Sequence, residues 1–136
     1  MLRLPQPLRD QLQAVVLAGY PRERCGVLVG RATADAASVE RVVEARNLNT
    51  RRAADRYELD PQDLLAADYA ARADRLDIVG IWHSHPDHPA RPSETDRSAA
   101  WEGWSYLIAS VTNAGVAELR SWRLTGGRFV EEPLQS

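Results

Sequence analysis

Apolar residues recur along this chain with two different periods, and the switching between them predicts an α/β architecture. After Pro5 and Pro7, the residues Leu8, Leu12, Val15 and Val16 fall at helical spacing. This predicts an amphipathic helix ending near Gly19, with its apolar face on a sheet. The glycine-bounded run at 25–30, Cys25-Gly26-Val27-Leu28-Val29-Gly30, and the stretch 38–46 around Val42 and Val43 predict two strands. Residues 47–56 are polar with no period and predict a loop, followed by a short extended piece at Tyr57-Glu58-Leu59. Asp60-Pro61 is a helix start, because Asp60 is free to cap and Pro61 is pre-set for the first turn. That second helix should run through Leu64, Leu65, Asp68, Tyr69 and Arg72 to about Arg75. The β-branched run Ile78-Val79-Gly80-Ile81-Trp82 predicts a central strand that ends at His83. Pro86, Pro89 and Pro92 then predict a loop over 84–92, after which Ser93 can cap a helix through Trp101. Residues 106–111, 117–124 and 128–132 read as three closing strands, the last two a hairpin around Gly126-Gly127.

Composition narrows this to one domain spanning residues 1–136, since 44% hydrophobic residues suffice for a single core. Net charge is −2 and the two signs are interspersed, so neither a nucleic-acid nor a membrane partner is expected. Cys25 is the only cysteine, which excludes an intramolecular disulfide and a Cys/His structural zinc site. No signal-like segment opens the chain and no apolar run reaches membrane-spanning length, so a soluble cytoplasmic protein is expected.

The candidate chemistry is concentrated in residues 83–96, which hold every histidine of the chain: His83, His85 and His88. In an extended segment His83 and His85 point to one side and Ser84 to the other, so one ion can reach both imidazoles. The proline-rich loop can fold back and deliver Asp96 in the first turn of the next helix, with Ser93 one turn before it. Two imidazoles and a carboxylate leave a fourth position open, as in catalytic rather than structural zinc. His88 and Asp87 read as loop residues outside the ligand set. The run His83-x-His85-x-Asp87-His88 also matches the metallo-β-lactamase motif, but no histidine follows His88 to complete that site. An amidohydrolase barrel needs further histidines and about 250 residues, and a nucleoside deaminase needs Cys-x-x-Cys.

A hydrolase also needs a group to move the water's proton. Glu23 stands just before a strand expected to be central, though spacing alone does not separate it from Glu40, Glu44 or Glu58. Cys25 beside it reads as a core thiol, because no further histidine remains to activate it. Trp82, Trp101 and Trp104 flank the histidine segment and read as core, with one of them available to line a groove for an extended peptide.

Taken together, Glu23-x-Cys25-Gly26-Val27-Leu28, Tyr57-x-Leu59-Asp60-Pro61 and His83-Ser84-His85-Pro86-x6-Ser93-x-x-Asp96 resemble the JAMM, or MPN-plus, zinc metallopeptidases. The resemblance covers nearly the whole chain and implies an MPN-type, cytidine-deaminase-like α/β domain with a mixed curved sheet flanked by helices. It further implies one Zn2+ held by His83, His85 and Asp96, with Glu23 as acid/base and Ser93 stabilising the oxyanion. Among such proteins the chain is similar to small bacterial members that act on ubiquitin-like sulfur-carrier proteins, which implies peptide or isopeptide hydrolysis after Gly-Gly. The rival expectation is a non-catalytic interaction module in which the metal only organises the loop.

Overall fold

A computed structural model of the chain describes residues 1–54, 56–98 and 100–136. Eleven elements follow one another: β1 (Leu2–Arg3), α1 (Gln6–Gly19), β2 (Cys25–Ala32), β3 (Ala37–Ala45), α2 (Pro61–Ala73), β4 (Asp77–Pro86), α3 (Glu94–Ser98), β5 (Ser105–Thr112), β6 (Gly115–Thr125), β7 (Arg128–Glu132) and β8 (Leu134–Gln135). The strands form one eight-stranded sheet in the order β7-β6-β5-β4-β2-β3-β1-β8. Pairing is mixed: β4 runs parallel to β5, and antiparallel to β2. The expected α/β class, with helices flanking a mixed sheet, is what the chain adopts.

Alternation along β2 and β4 divides the core in two. Leu28 and Trp82 face α1, where Leu12, Val16, Val42 and Leu107 complete one cluster. Val27 and Ile81 face the other way and meet Ala67 of α2, together with Tyr106. Each helix is set by the residues expected. Pro5 precedes α1, and Asp60 caps α2 by accepting the Gln62 N–H at 2.9 Å, with Pro61 in the first turn. No helix among the described residues is long and apolar enough to cross a membrane.

Trp82 is fully buried, and its indole N–H donates to the Val43 carbonyl at 3.2 Å. The ring lies across Gly26, its cross-strand partner, where a Cβ would run into both the indole and the Val43 carbonyl oxygen. Backbone cannot give way there without breaking the sheet. Gly26→Ala is therefore expected to destabilise the protein by at least ~2 kcal/mol, read as a lower urea midpoint at unchanged m-value.

Two expectations are corrected. The strand β4 does not stop before the histidines: its pairing with β5 continues through His83↔Ile108, His85↔Ser110 and Pro86↔Val111. The prolines misled because Pro86 occupies the last strand position, where a missing N–H breaks no interior ladder. The third helix is shorter than its predicted reach to Trp101, ending at Ser98. The Ala100 N–H turns back to Arg97, and the Trp101 N–H is taken by the Tyr106 hydroxyl at 2.7 Å; Ala99 lies outside the described residues. The two-residue strands β1 and β8 had no expectation, because two residues carry no period.

Candidate metal centre

Strand register assembles the site from residues far apart in sequence. Cys25 pairs with His83, and the pairing continues one step further through the Ser84 N–H to the Arg24 carbonyl at 2.9 Å. The Arg24 N–H, in turn, donates to the Ser84 hydroxyl at 2.8 Å. Because directly opposed residues share a face, this register sets Glu23 on the side of the sheet that carries His83 and His85. Glu23 is 4% exposed, His83 1% and His85 8%, so the three groups meet in a largely dry place. One ligand atom from each lies within 4.8 Å of the others.

Asp96 also reaches both imidazoles. Its Oδ2 is 3.1 Å from His85 Nε2 and 3.4 Å from His83 Nε2, and the two imidazole nitrogens are 3.0 Å apart. A tetrahedral zinc with bonds of about 2.0–2.1 Å sets its ligand atoms roughly 3.3–3.4 Å apart, so the triangle has the right size. The donor chemistry also fits. His85 Nδ1 lies 2.8 Å from the Pro89 carbonyl, which only accepts, so Nδ1 carries a proton and Nε2 is the nitrogen available to an ion. When both Nε2 atoms are deprotonated, they and Asp96 Oδ2 form a donor set that a cation satisfies. His83 departs from the usual pattern: its Nδ1 is buried without a hydrogen-bond partner, and the ring is held by stacking on Tyr57 at 4.4 Å.

A reciprocal cap delivers Asp96. The Ser93 N–H donates to Asp96 Oδ2 at 2.8 Å, and the Asp96 N–H donates to Ser93 Oγ at 3.0 Å. Ser93 Oγ accepts there, which leaves its hydroxyl proton free. Burial works against ionisation of Asp96, but the imidazoles of His83 and His85 outweigh it and hold the carboxyl well below the usual range. Burial lowers His83, whereas for His85 the contacts with Asp96 and Pro89 overcome burial and raise it.

The segment 47–56, read as a featureless loop, is tied to this centre. Asn47 Nδ2 donates to the carbonyls of Glu23 and Arg56, each at 3.2 Å, and its Oδ1 accepts the Glu58 N–H at 2.8 Å. The Glu23 N–H donates to the Ala53 carbonyl, and Arg56 reaches α3 through Thr95 Oγ1 at 2.7 Å. Asp55, within this segment, lies outside the described residues. Sequence reasoning misses Asn47, Ser84 and the stacking of Tyr57. Ser84, between the two histidines, was legible as a polar residue at a strand end; Asn47 had no local signal. His88 is exposed, and its carbonyl accepts from Ser110. Burial pushes the Cys25 thiol up to about 12, with the Glu23 charge adding to it, so it remains an unreactive core thiol at neutral pH. Trp82 is core as expected, but Trp101 is 69% exposed and stands beside Trp104 at 6.5 Å between ring centroids.

A mixed sheet bearing two histidines at the end of a central strand, with the carboxylates of Glu23 and Asp96 beside them, defines an α/β domain built around a candidate mononuclear metal centre. The chain belongs to the prokaryotic homologs of the JAB domain, whose family model matches residues 5–125. This places it among JAMM-type hydrolases and bears out the resemblance drawn from the His-x-His-Pro and Ser-x-x-Asp pattern. It is 40% identical over 112 residues to the desampylase of Haloferax volcanii, covering 82% of this chain and 76% of that protein. It is 36% identical over 117 residues to the CysO-cysteine peptidase of Mycobacterium tuberculosis, covering 85% and 77%. A solved structure of a Desulfitobacterium hafniense protein matches with a TM-score of 0.85 and 31% identity, over 98% of this chain and 91% of that one.

Proposed function

We propose that this chain is a zinc peptidase that hydrolyses the peptide or isopeptide bond following the Gly-Gly terminus of a ubiquitin-like or sulfur-carrier protein. The observation that carries the reading is the triangle of His83 Nε2, His85 Nε2 and Asp96 Oδ2, with the Glu23 carboxylate close to both imidazoles. The names of the relatives, desampylase and CysO-cysteine peptidase, support the substrate class.

His83, His85 and Asp96 hold the ion in this reading, and zinc when bound supplies the Lewis acidity that makes water nucleophilic near neutral pH and polarises the scissile carbonyl. Glu23 takes a proton from the attacking water and returns it to the leaving nitrogen. Its burial favours this duty, because a carboxylate held out of bulk water moves a proton at low reorganisation cost. Ser93, whose Oγ already accepts from Asp96, points its remaining proton toward the oxygen that gains charge. The exposed Trp101 and half-buried Trp104 line a cavity of about 280 Å3 with Tyr57, Leu64 and Asp96, a wall against which an extended tail can lie.

The test is to incubate zinc-loaded protein with a carrier bearing residues after Gly-Gly and to follow release of the extension by mass spectrometry. Release is expected, with loss after chelation and recovery on adding zinc back. Binding of the carrier without release, before and after chelation, would leave an interaction module instead.

A further inference from the structure

Beside Ser93, in a cavity that among the described residues shares no lining residue with the aromatic one, the protein presents charge for which the chemistry above has no use. A cavity of about 540 Å3 opens between the residues entering α3 and the β6–β7 hairpin, a size usual for a small-ligand site. Arg91, Arg97 and Arg128 line it, against a single acid, Glu94, that is engaged by Arg97 at 2.8 Å. The side chains of Arg91 and Arg128 have no ion-pair or hydrogen-bond partner among the described residues. The walls are firm. Trp122 donates its indole N–H to the Ala90 carbonyl at 3.0 Å, which braces the turn carrying Arg91, and Phe129 packs edge-on against Tyr106 at 5.5 Å.

This cavity adjoins the metal centre directly. Arg91 and Ser93 line both it and a neighbouring cleft of about 250 Å3 that contains Glu23 and His85. The aromatic cavity differs in kind: its lining is mostly aromatic and aliphatic, and among the described residues its charged ones are Glu58 and Asp96. A scissile peptide has the same asymmetry. Upstream of the bond lies an uncharged Gly-Gly backbone; downstream, a short C-terminal extension ends in a free α-carboxylate, whereas a lysine joined through an isopeptide bond within another protein offers none. Two unengaged guanidiniums are the matching group for a carboxylate, since their planar donors bind it in a forked, charge-assisted way.

We propose that Arg91 and Arg128 bind the α-carboxylate of the residues released after Gly-Gly, so that the chain prefers to trim a short C-terminal extension over cleaving isopeptide conjugates. The proposal rests on the peptidase reading and specifies its leaving-group side. In the reaction, the C–N bond after the second glycine breaks and the water oxygen remains on the new glycine carboxylate. Both protons of the water go to the freed amine, one by way of Glu23, so it leaves as an ammonium, and the carboxylate of the released residue stays on the arginines.

Two measurements decide it. Zinc-loaded protein is given a ubiquitin-like carrier whose Gly-Gly is followed by one alanine, as the free acid or as the C-terminal amide. Free acid is expected to show a KM about tenfold lower, with similar kcat, because the lost interaction is one of ground-state binding. In the Arg91→Gln, Arg128→Gln double variant the KM for the acid should rise to that for the amide. Separately, metal-free protein is titrated with Gly-Gly-Ala tripeptide acid or amide and followed by NMR, with tighter binding of the acid expected, and lost in the double variant. Equal KM and equal binding for acid and amide in the wild type would overturn the carboxylate site while leaving the peptidase intact. Binding of the tripeptide acid through Arg91 and Arg128 without any carrier cleavage would uphold the site and remove the peptidase reading.

Discussion

Glu23→Gln is expected to slow hydrolysis of a Gly-Gly-extended carrier by about a hundred- to ten-thousand-fold, while bound metal and carrier affinity stay close to wild type. Glutamine keeps the size of the side chain but cannot carry the proton between water and leaving nitrogen. The substitution should be structurally quiet, because the position of residue 23 is held by main-chain groups. Its N–H is bonded to Ala53, its carbonyl to Asn47, and the adjacent Arg24 is paired with Ser84 on both sides of its peptide. Metal should persist, since His83, His85 and Asp96 make a ligand triangle of 3.0–3.4 Å without Glu23. Rate by mass spectrometry, metal by elemental analysis and carrier affinity by calorimetry separate these effects. A variant with wild-type rate would show that the proton is carried elsewhere, and loss of metal would make Glu23 a ligand.

Asp96→Asn should remove the metal and with it the activity. The amide oxygen can still accept the Ser93 N–H, so the cap on α3 survives, but a neutral group replaces the one anion among the three inward-facing atoms. At least about a hundredfold loss in zinc affinity is expected, and hydrolysis should fall to background. Acid should mimic the substitution in wild-type protein. His85 is raised above its ordinary value of 6.5 in the metal-free protein, burial being overcome by the Asp96 and Pro89 contacts. A proton on that ring competes with the ion, so loading is full at higher pH and weakens as pH falls through the His85 value. Zinc titrations of both proteins across that range, with circular dichroism to confirm the fold, check the prediction. An Asp96→Asn variant that keeps its zinc would place the third ligand elsewhere, with Glu23 the nearest carboxylate in reach.

Local rules carried the secondary structure well where a period was long enough to read. The helix after Pro5, the Asp60-Pro61 start and the strand at residues 128–132 stand as expected. They failed at 84–86, where proline was taken for a loop signal although a parallel neighbour keeps the strand going through Pro86. They failed again at 100–101, where a tertiary bond from Trp101 to Tyr106 outweighs helical continuation. The segment 47–56 looked structureless because much of its order comes from bonds to residues distant along the chain, those of Asn47 and of Ala53 and Arg56 among them.

By itself, the sequence determined that His83 and His85 share a face, through the two-residue period of a strand, and that Ser93 lies one turn before Asp96 as a helix cap. Those are properties of neighbours on one element. Only the tertiary structure decided that Glu23, among several glutamates, comes to the histidines, because the β2–β4 register that opposes Cys25 to His83 is set by burial of Leu28, Trp82, Val27 and Ile81 on two faces of the sheet. The cavity that Arg91 and Arg128 share beside Ser93 is likewise beyond any local pattern. Arg91 and Arg128 stand on different elements, and packing of the hairpin against the histidine strand's exit brings them into one pocket.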